Sequence, residues 1–193
     1  MIYFKDVFFK RAKKEGYFAR SVYKLEEIDK KYRLFKKGYK VLDLGSSPGS
    51  WLQYIAKKVG EKGIVVGVDI NPLKWETPPS YVYFWQRDVL NWDFKEIKNL
   101  VPFNVVVSDM APLTTGIKDA DVYRCFKLAD KALEIAKMFL APKGHFVTKV
   151  FEGQEVKQLL MDIKNYFSFI KVFKPKGSRA ESREIFIICL NRR

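Results

Sequence analysis

The residues best suited to chemistry are a glycine-containing loop and three aspartates that each follow a strand-like segment. The loop covers residues 43–50, with the sequence Asp-Leu-Gly-Ser-Ser-Pro-Gly-Ser, and joins a predicted strand to a predicted helix. Open α/β sheets bind nucleotide-like ligands at this position, and a carboxylate at the end of the next strand, here Asp69, can accept both hydroxyls of a ribose. Asp88 and Asp109 follow two further strand-like segments. The sequence therefore predicts that these acids cluster beside a ribose-containing ligand.

The spacing of the two loop glycines narrows the choice of ligand. A dinucleotide-binding loop carries Gly-x-Gly-x-x-Gly, and a phosphate-binding loop carries Gly-Lys followed by Ser or Thr. Here Gly45 and Gly49 bracket Ser-Ser-Pro, so neither pattern is present. The loop therefore disfavours pyrophosphate and a nicotinamide-dependent dehydrogenase, although a plain strand-to-helix turn would have the same pattern.

Alternating strand and helix patterns position these residues. Short β-branched or apolar runs predict seven strands, at Lys40–Leu44, Ile64–Ile70, Tyr81–Trp85, Val105–Val107, His145–Val150, Phe167–Phe173 and Ile185–Leu190. Helices are predicted at Ser21–Tyr32, Trp51–Val59, near Phe94–Leu100, at about Asp121–Leu140 and at Gln154–Tyr166. We expect Ala141-Pro142-Lys143-Gly144 to end the long helix and turn into the next strand.

The order of these elements predicts the fold class. Strands and helices alternate as far as residue 166, which is typical of a parallel sheet with helices on both faces. The last two strands are too close in sequence for a crossover helix, so they are expected to form an antiparallel hairpin. The sequence therefore predicts an α/β, doubly wound, seven-stranded and mostly parallel sheet.

Composition favours one domain and an acidic macromolecular partner. The 193 residues, 48% of them hydrophobic, suit one core. Cys125 and Cys189 are too few for a disulfide scaffold or a four-cysteine zinc site, which fits a reducing compartment, and we expect neither a signal peptide nor a membrane span. The net charge of +14 is uneven, with +8 over residues 1–40, +1 over 41–170 and +5 over 171–193. The basic ends predict phosphate contacts, with solubility as the plain alternative.

Five motifs occur in an order that points to a family. They are Ala19–Lys24, Asp43–Gly49, Asp109–Pro112, Lys149–Phe151 and Ser178–Glu184. In this order the chain resembles the FtsJ-like ribosomal RNA ribose 2′-O-methyltransferases over essentially its whole length. It departs at Leu113–Gly116, where the best-known bacterial members carry Asn after Asp-Met-Ala-Pro, and at Ser46-Ser47, where they often carry alanines. The first difference concerns residues expected to contact the substrate, and the second concerns a detail of the loop at residues 43–50. The charged residues of the motifs are all present.

The resemblance implies a Rossmann-like fold, S-adenosylmethionine as methyl donor, no metal, and a catalytic tetrad of Lys24, Asp109, Lys149 and Glu184. Lys149 is expected to be the general base. Because it ends an apolar strand, its amine must find a partner or lose its charge. Lys24 would lower the pKa of Lys149 from about 10.4, and the two acids would oppose that shift, so we expect the acids to orient the reacting groups. The residues predicted to contact the donor are Gly45, Ser46, Ser47, Pro48, Gly49, Trp51, Asp69, Ile70, Asp88, Val89 and Asp109.

The resemblance also implies RNA as the substrate, most specifically a uridine of large-subunit ribosomal RNA. Phosphate contacts are predicted for Lys10, Arg11, Lys13, Lys14, Arg20, Lys176, Arg179 and Arg183. A transfer RNA or another RNA as substrate, a noncatalytic RNA-binding protein on the same fold, and a small-molecule methyltransferase remain alternatives. The expected protein is a cytoplasmic monomer without membrane association. One methyltransferase domain covers residues 1–193, beginning with a basic helical extension at about 1–38.

Overall fold

The central sheet brings the carboxyl ends of its first parallel strands to one edge. The computed structural model describes residues 3–178 and 181–193, with side chains from Val7 onward. The strands are β1 (Lys40–Leu44), β2 (Ile64–Asp69), β3 (Val82–Gln86), β4 (Phe103–Ser108), β5 (Leu140–Phe151), β6 (Phe167–Phe173) and β7 (Glu184–Arg192). Their order is β3-β2-β1-β4-β5-β7-β6, and β7 runs antiparallel to both of its neighbours. The strand order reverses between β1 and β4, which is where such sheets form a ligand crevice.

Helices cover both faces of the sheet, as predicted. Within the described residues they are α1 (Tyr3–Lys14), α2 (Val22–Tyr32), α3 (Ser50–Val59), α4 (Lys118–Phe139) and α5 (Glu155–Lys164). Val41 and Val105 pack in one core with residues of α2 and α3, whereas Leu42 and Val106 pack in the other core with residues of α4 and α5. Neighbouring strand residues point to opposite faces, so each strand serves both cores. No helix among the described residues is long and apolar enough to cross a membrane.

The junction between α4 and β5 differs from the prediction. The helix ends at Phe139 and the strand begins at Leu140, so the turn predicted at Ala141–Gly144 is wrong. These four residues form an irregular bulge in β5, because residues 103 and 105 of β4 pair with residues 140 and 145. Lys143 adopts a left-handed backbone conformation with φ of +62°, which lets the chain leave and rejoin the ladder.

The other predicted elements are present with small changes at their ends. The bounds of β1 and β6 match the prediction, while β4 and β7 are longer than predicted. The helix predicted near residues 94–100 is only a short 3-10 turn, Lys95–Ile97. The basic N-terminal region contains α1 as well as the predicted α2, and a turn over residues 15–21 joins them.

Candidate active site

Two lysines and two acids from four different parts of the fold meet at the carboxyl edge of the sheet. Lys24 lies in the first turn of α2, Asp109 directly follows β4, Lys149 lies near the end of β5, and Glu184 begins β7. The last two come together because β5 and β7 are antiparallel neighbours, with Phe151 paired with Glu184. The four residues of the predicted tetrad are therefore neighbours in space.

Direct contacts join the four side chains into one network. Lys149 Nζ lies 2.9 Å from Asp109 Oδ1 and 2.5 Å from the carbonyl oxygen of Asp109. Lys24 Nζ lies 2.7 Å from Glu184 Oε1 and 4.0 Å from Asp109 Oδ1. None of the four side chains is more than 14% exposed, so solvent screens their charges little. Each lysine has its own carboxylate partner, and Asp109 also lies near the second lysine.

The surroundings of Lys149 favour its protonated form. Burial lowers the pKa of Lys149, but the charge of Asp109, the hydrogen bond to Asp109 and the charge of Glu184 together outweigh burial. The pKa of Lys149 is consequently raised above its usual value of 10.5. The lowering predicted from Lys24 is wrong for this arrangement, because Glu184 holds Lys24 in an ion pair of its own. Lys149 therefore carries a proton at neutral pH.

Two serines hold Glu184 in position. Ser178 Oγ donates a hydrogen bond to Glu184 Oε1 over 2.9 Å, and the backbone N–H of Glu184 donates to Ser182 Oγ over 3.2 Å. A cavity of about 230 Å³ next to Glu184 is lined by Arg20, Ser21, Lys24 and Ser182. This cavity gives a substrate access to the tetrad from the side of α2.

Asp69 fixes the loop between β1 and α3. Asp69 Oδ2 accepts the backbone N–H of Ser47 over 2.9 Å, and Oδ1 accepts that of Asn71 over 2.8 Å. Oδ1 also accepts the side-chain amide of Asn71 over 3.2 Å, so Oδ2 is the oxygen that keeps a lone pair for a further donor. Gly45 has a φ of +82°, and a Cβ there would lie 2.8 Å from the backbone nitrogen of Met110, so glycine allows the ends of β1 and β4 to approach closely. The loop is therefore already shaped beside the predicted ribose acceptor.

Two buried polar side chains near this loop lack partners among the described residues. They are Asp43, through both carboxylate oxygens, and Ser46, through its hydroxyl. Burial, and then the charges of Asp109 and Asp69, raise the pKa of Asp43 well above its ordinary value. No group of three or more His, Cys, Asp or Glu side chains in the described part of the chain is placed to hold a metal ion. Unmet acceptors among several carboxyl groups suit a positively charged ligand with its own hydrogen-bond donors, so these residues fit S-adenosylmethionine.

The residues after β2 and β3 extend the same edge. Asp88 is exposed, and its two carboxylate oxygens accept the backbone N–H of Leu90 over 3.0 Å and the side-chain amide of Asn91 over 2.6 Å. Ile70 is 59% exposed, so its apolar side chain is available to the base of a nucleoside. Val89, in contrast, is buried in the core and offers little side-chain surface to a ligand.

Trp51 links the loop over residues 45–49, named the donor loop for its predicted ligand, to the helix that carries Lys24. Its indole N–H donates to the carbonyl oxygen of Ser21 over 3.0 Å, and the hydroxyls of Ser21 and Ser50 lie 3.1 Å apart. The ring of Trp51 is 3% exposed and its centroid lies 6.0 Å from that of Phe186. The structure therefore gives this predicted donor-contacting residue a packing position between the start of α3 and the start of α2.

The residues predicted to contact RNA differ in their availability. Lys10, Lys13 and Lys14 are exposed on α1, Lys176 is exposed before β7, Arg20 and Arg183 are partly buried, and Arg179 lies outside the described residues. Arg11 has an internal role, because its Nε lies 2.7 Å from Glu15 Oε1 and its guanidinium lies over the ring of Tyr23, 4.3 Å from the centroid. The exposed lysines are the better candidates for phosphate contacts.

Sequence reasoning missed several residues that support the site. Asp43 could have been found, because it is the one acid within the apolar run of β1. Ser178 lies in the motif Ser178–Glu184, but nothing in the sequence indicates that its hydroxyl reaches Glu184. The contact of Glu27 Oε2 with the backbone N–H of Lys176, over 2.8 Å, joins α2 to the segment before β7 and has no sequence signal.

Fold and site together define a Rossmann-like methyltransferase, and comparison with known proteins gives the family. A family model described as FtsJ-like methyltransferase matches residues 17–192. The ribosomal RNA large subunit methyltransferase E of Nitratidesulfovibrio vulgaris is 46% identical over 98% of this chain and 96% of its own. The protein of the same name from Bdellovibrio bacteriovorus is 45% identical over 98% and 97%. The chain therefore belongs to the FtsJ-like methyltransferase family, as the motifs predicted.

Solved structures agree with this assignment. A ribosomal RNA methyltransferase from Plasmodium falciparum has a TM-score of 0.77 and 27% identity, covering 91% of this chain and 98% of its own. Fibrillarin from Aeropyrum pernix, solved with S-adenosylmethionine bound, has a TM-score of 0.55 and 13% identity over 80% of this chain and 67% of its own, which shows the fold alone. The predicted fold is confirmed, and family membership confirms the enzyme class and S-adenosylmethionine as methyl donor.

Proposed function

We propose that this protein methylates the 2′-hydroxyl of a ribose in large-subunit ribosomal RNA, with a uridine as the target nucleotide. The observation that carries the proposal is the contact of Lys149 with Asp109 beside the ion pair of Lys24 and Glu184. Burying four charged groups costs desolvation energy, so a gain in the stability of the fold does not explain this network well. Its position next to the donor loop supports a role in catalysis.

Residues on three strand ends are assigned to holding the donor. Asp69 accepts the ribose hydroxyls, Ile70 and Asp88 flank the base, and the loop Gly45–Gly49 with Asp43 receives the amino-acid part. When bound, S-adenosylmethionine supplies a methyl group on a positively charged sulfur, which makes that methyl an electrophile. The unmet oxygens of Asp43 and the pre-shaped loop support this assignment.

Lys149 Nζ is the group assigned to take the proton of the ribose hydroxyl. The proton must leave as the new oxygen–methyl bond forms, and only the neutral amine can accept it. Asp109 directs Nζ through its side chain and its carbonyl oxygen, while Glu184 holds Lys24. These acids orient the base but also raise its pKa, so the rate of methyl transfer should rise with pH. Positioning for in-line attack is therefore expected to supply much of the catalysis.

Charge and family relatives support RNA as the acceptor. The two ends of the chain carry net charges of +8 and +5, which suit phosphates. The most similar relatives reported above are named as methyltransferases of large-subunit ribosomal RNA. The cavity lined by Arg20, Lys24 and Glu184 gives one ribose a path to the tetrad. A cytoplasmic, monomeric enzyme with one domain over residues 1–193, including the basic extension at about 1–38, completes the proposal.

The variant Lys149→Ala tests the assignment of the base. Methyl transfer should fall by about 100-fold or more, because general-base catalysis is lost. Donor affinity by calorimetry and RNA affinity should be nearly unchanged, since the lost interaction belongs to the transition state. Lys157→Ala, at an exposed position on α5, is the matched control and should keep the normal rate. Near-normal single-turnover rates for Lys149→Ala at saturating donor and RNA would contradict the assignment and point to Asp109.

The substrate is tested by mapping 2′-O-methyl positions in total RNA from cells with and without the gene. One uridine of large-subunit ribosomal RNA should lose its methyl group, and the Lys149→Ala variant should not restore it. Loss at a transfer RNA would contradict the ribosomal target while keeping the chemistry. An unchanged methylation map would contradict the proposed function itself.

A further inference from the structure

Phe18 is an exposed aromatic residue that the proposed chemistry leaves without a role. Its side chain is 40% exposed. The ring lies against the donor loop, because a Cβ at Gly49 would be 3.4 Å from Phe18 Cδ2 and 3.7 Å from Cε2. One edge of the ring therefore rests on the loop while much of its surface faces solvent.

The backbone around Phe18 is held by the first turns of α3. Gln53 Oε1 accepts the backbone N–H of Phe18 over 3.2 Å, and Gln53 Nε2 donates to the carbonyl oxygen of Gly16 over 3.0 Å. Gln53 thus bonds to both sides of the turn between α1 and α2. An aromatic ring that is already positioned loses little conformational freedom when it binds a partner.

Tyr17, the residue before Phe18, is also aromatic, but its ring makes contacts within the protein. The ring of Tyr17 packs edge-on to Tyr23 with centroids 6.5 Å apart, and Lys57 Nζ lies 4.3 Å from its centroid, so Tyr17 belongs to the interior contacts of the protein. Two residues after Phe18, Arg20 lines the cavity that also contains Lys24 of the tetrad. An exposed ring, a cation and a catalytic lysine therefore follow one another along a single short segment.

We propose that Phe18 stacks on an unpaired base of the RNA beside the target ribose, so that the enzyme binds its target segment single-stranded. The inference rests on the proposed function, which supplies RNA as the substrate. Every base has a π face, so stacking on an aromatic ring is tolerant of sequence. Unstacked bases in loops and single strands are the ones that proteins can bind in this way. Phe18 therefore selects an open strand rather than a particular base.

Equilibrium binding of a labelled, short single-stranded oligouridylate tests the proposal. Phe18→Ala should weaken RNA binding by about 5-fold to 150-fold, the range that loss of one stacked base gives. Phe18→Trp should bind like the unchanged protein, and Phe18→Leu, which keeps an apolar side chain without a ring, should bind like Phe18→Ala. Donor affinity should stay constant. The slope of log affinity against log salt should also stay constant, because no charge is removed.

Three results would overturn the stacking role of Phe18. Equal RNA affinity for the unchanged protein and Phe18→Ala overturns the proposal, as does normal binding by Phe18→Leu. A loss of donor affinity in Phe18→Ala also overturns it, because the ring would then belong to the donor site. Methyl transfer by the unchanged protein is measured alongside. If the unchanged protein methylates ribose and Phe18→Ala binds RNA normally, the stacking role fails and the proposed function stands. If the unchanged protein does not methylate ribose, the proposed function fails, whatever the RNA-binding measurements give.

Discussion

Replacing Glu184 with glutamine should move the pH dependence of methyl transfer to lower pH. Glu184 holds Lys24 at 2.7 Å, and its charge is one of the causes that raise the pKa of Lys149. Glu184→Gln removes this negative charge and leaves Lys24 with only its 4.0 Å contact to Asp109 Oδ1. Both changes disfavour a protonated Lys149, so the neutral amine becomes available at a lower pH.

The size of the pKa change at Lys149 can be worked out from Asp109, the carboxylate that lies near both lysine ammonium groups. Lys149 Nζ and Lys24 Nζ lie 2.9 Å and 4.0 Å from Asp109 Oδ1. The two nitrogens are therefore at most about 7 Å apart, and at an effective dielectric constant of about 20 two unit charges repel each other by at least about 2.4 kcal/mol at such distances. This energy corresponds to a change of about 1.7 in pKa. We expect the break in the pH–rate profile to fall by at least about 1 pH unit, because Glu184 no longer offsets this repulsion.

Single-turnover methyl transfer at saturating donor and RNA, measured from about pH 6 to about pH 10, checks the shift. The unchanged protein should become faster over the whole range, whereas Glu184→Gln should reach its plateau earlier. Ser178→Ala is the matched control, because it removes a hydrogen bond to Glu184 but no charge, so its break should not move. A Glu184→Gln profile with an unchanged break and a uniformly lower rate would refute the electrostatic reasoning.

Two further predictions concern binding. Asp69→Ala should weaken donor binding by about tenfold or more, because a charged acceptor for the ribose is lost together with the bond that holds Ser47; unchanged affinity by calorimetry would reject the assigned pose. Lys13→Gln combined with Lys14→Gln should weaken RNA binding and reduce its salt slope by about 1 to 2, with donor affinity intact. Arg11→Gln should affect RNA binding less, since Arg11 is committed to internal contacts, and equal RNA affinity in all of these variants would place the footprint elsewhere.

The fold was predictable where burial on both faces leaves a long apolar signal. β1, which is buried along most of its length, has its predicted bounds, and the strand order follows the usual rule for alternating strands and helices. β6 also has its predicted bounds, although it is an edge strand and most of its residues are exposed. The failure at Ala141–Gly144 has a specific cause. Pro142 and Gly144 are local turn signals, but Phe103 pairs with Leu140 and recruits the whole segment into β5. Strand pairing with a distant segment overrides the local preference for a turn at these residues. The local sequence pattern does not indicate this pairing.

The protonation of Lys149 depends on distances, which motifs do not contain. The motifs predict that Lys24 lowers the pKa of Lys149 and that Asp109 and Glu184 oppose this shift, but they do not give the balance between the two effects. In the structure Glu184 pairs with Lys24 at 2.7 Å and Asp109 pairs with Lys149 at 2.9 Å, so the net effect on Lys149 has the opposite sign. A base with a raised pKa acts at neutral pH only through its small neutral fraction or after its ion pairs change. The contacts in the structure hold the proton on Lys149, so the rate of proton removal from the ribose hydroxyl should follow the neutral fraction of this amine.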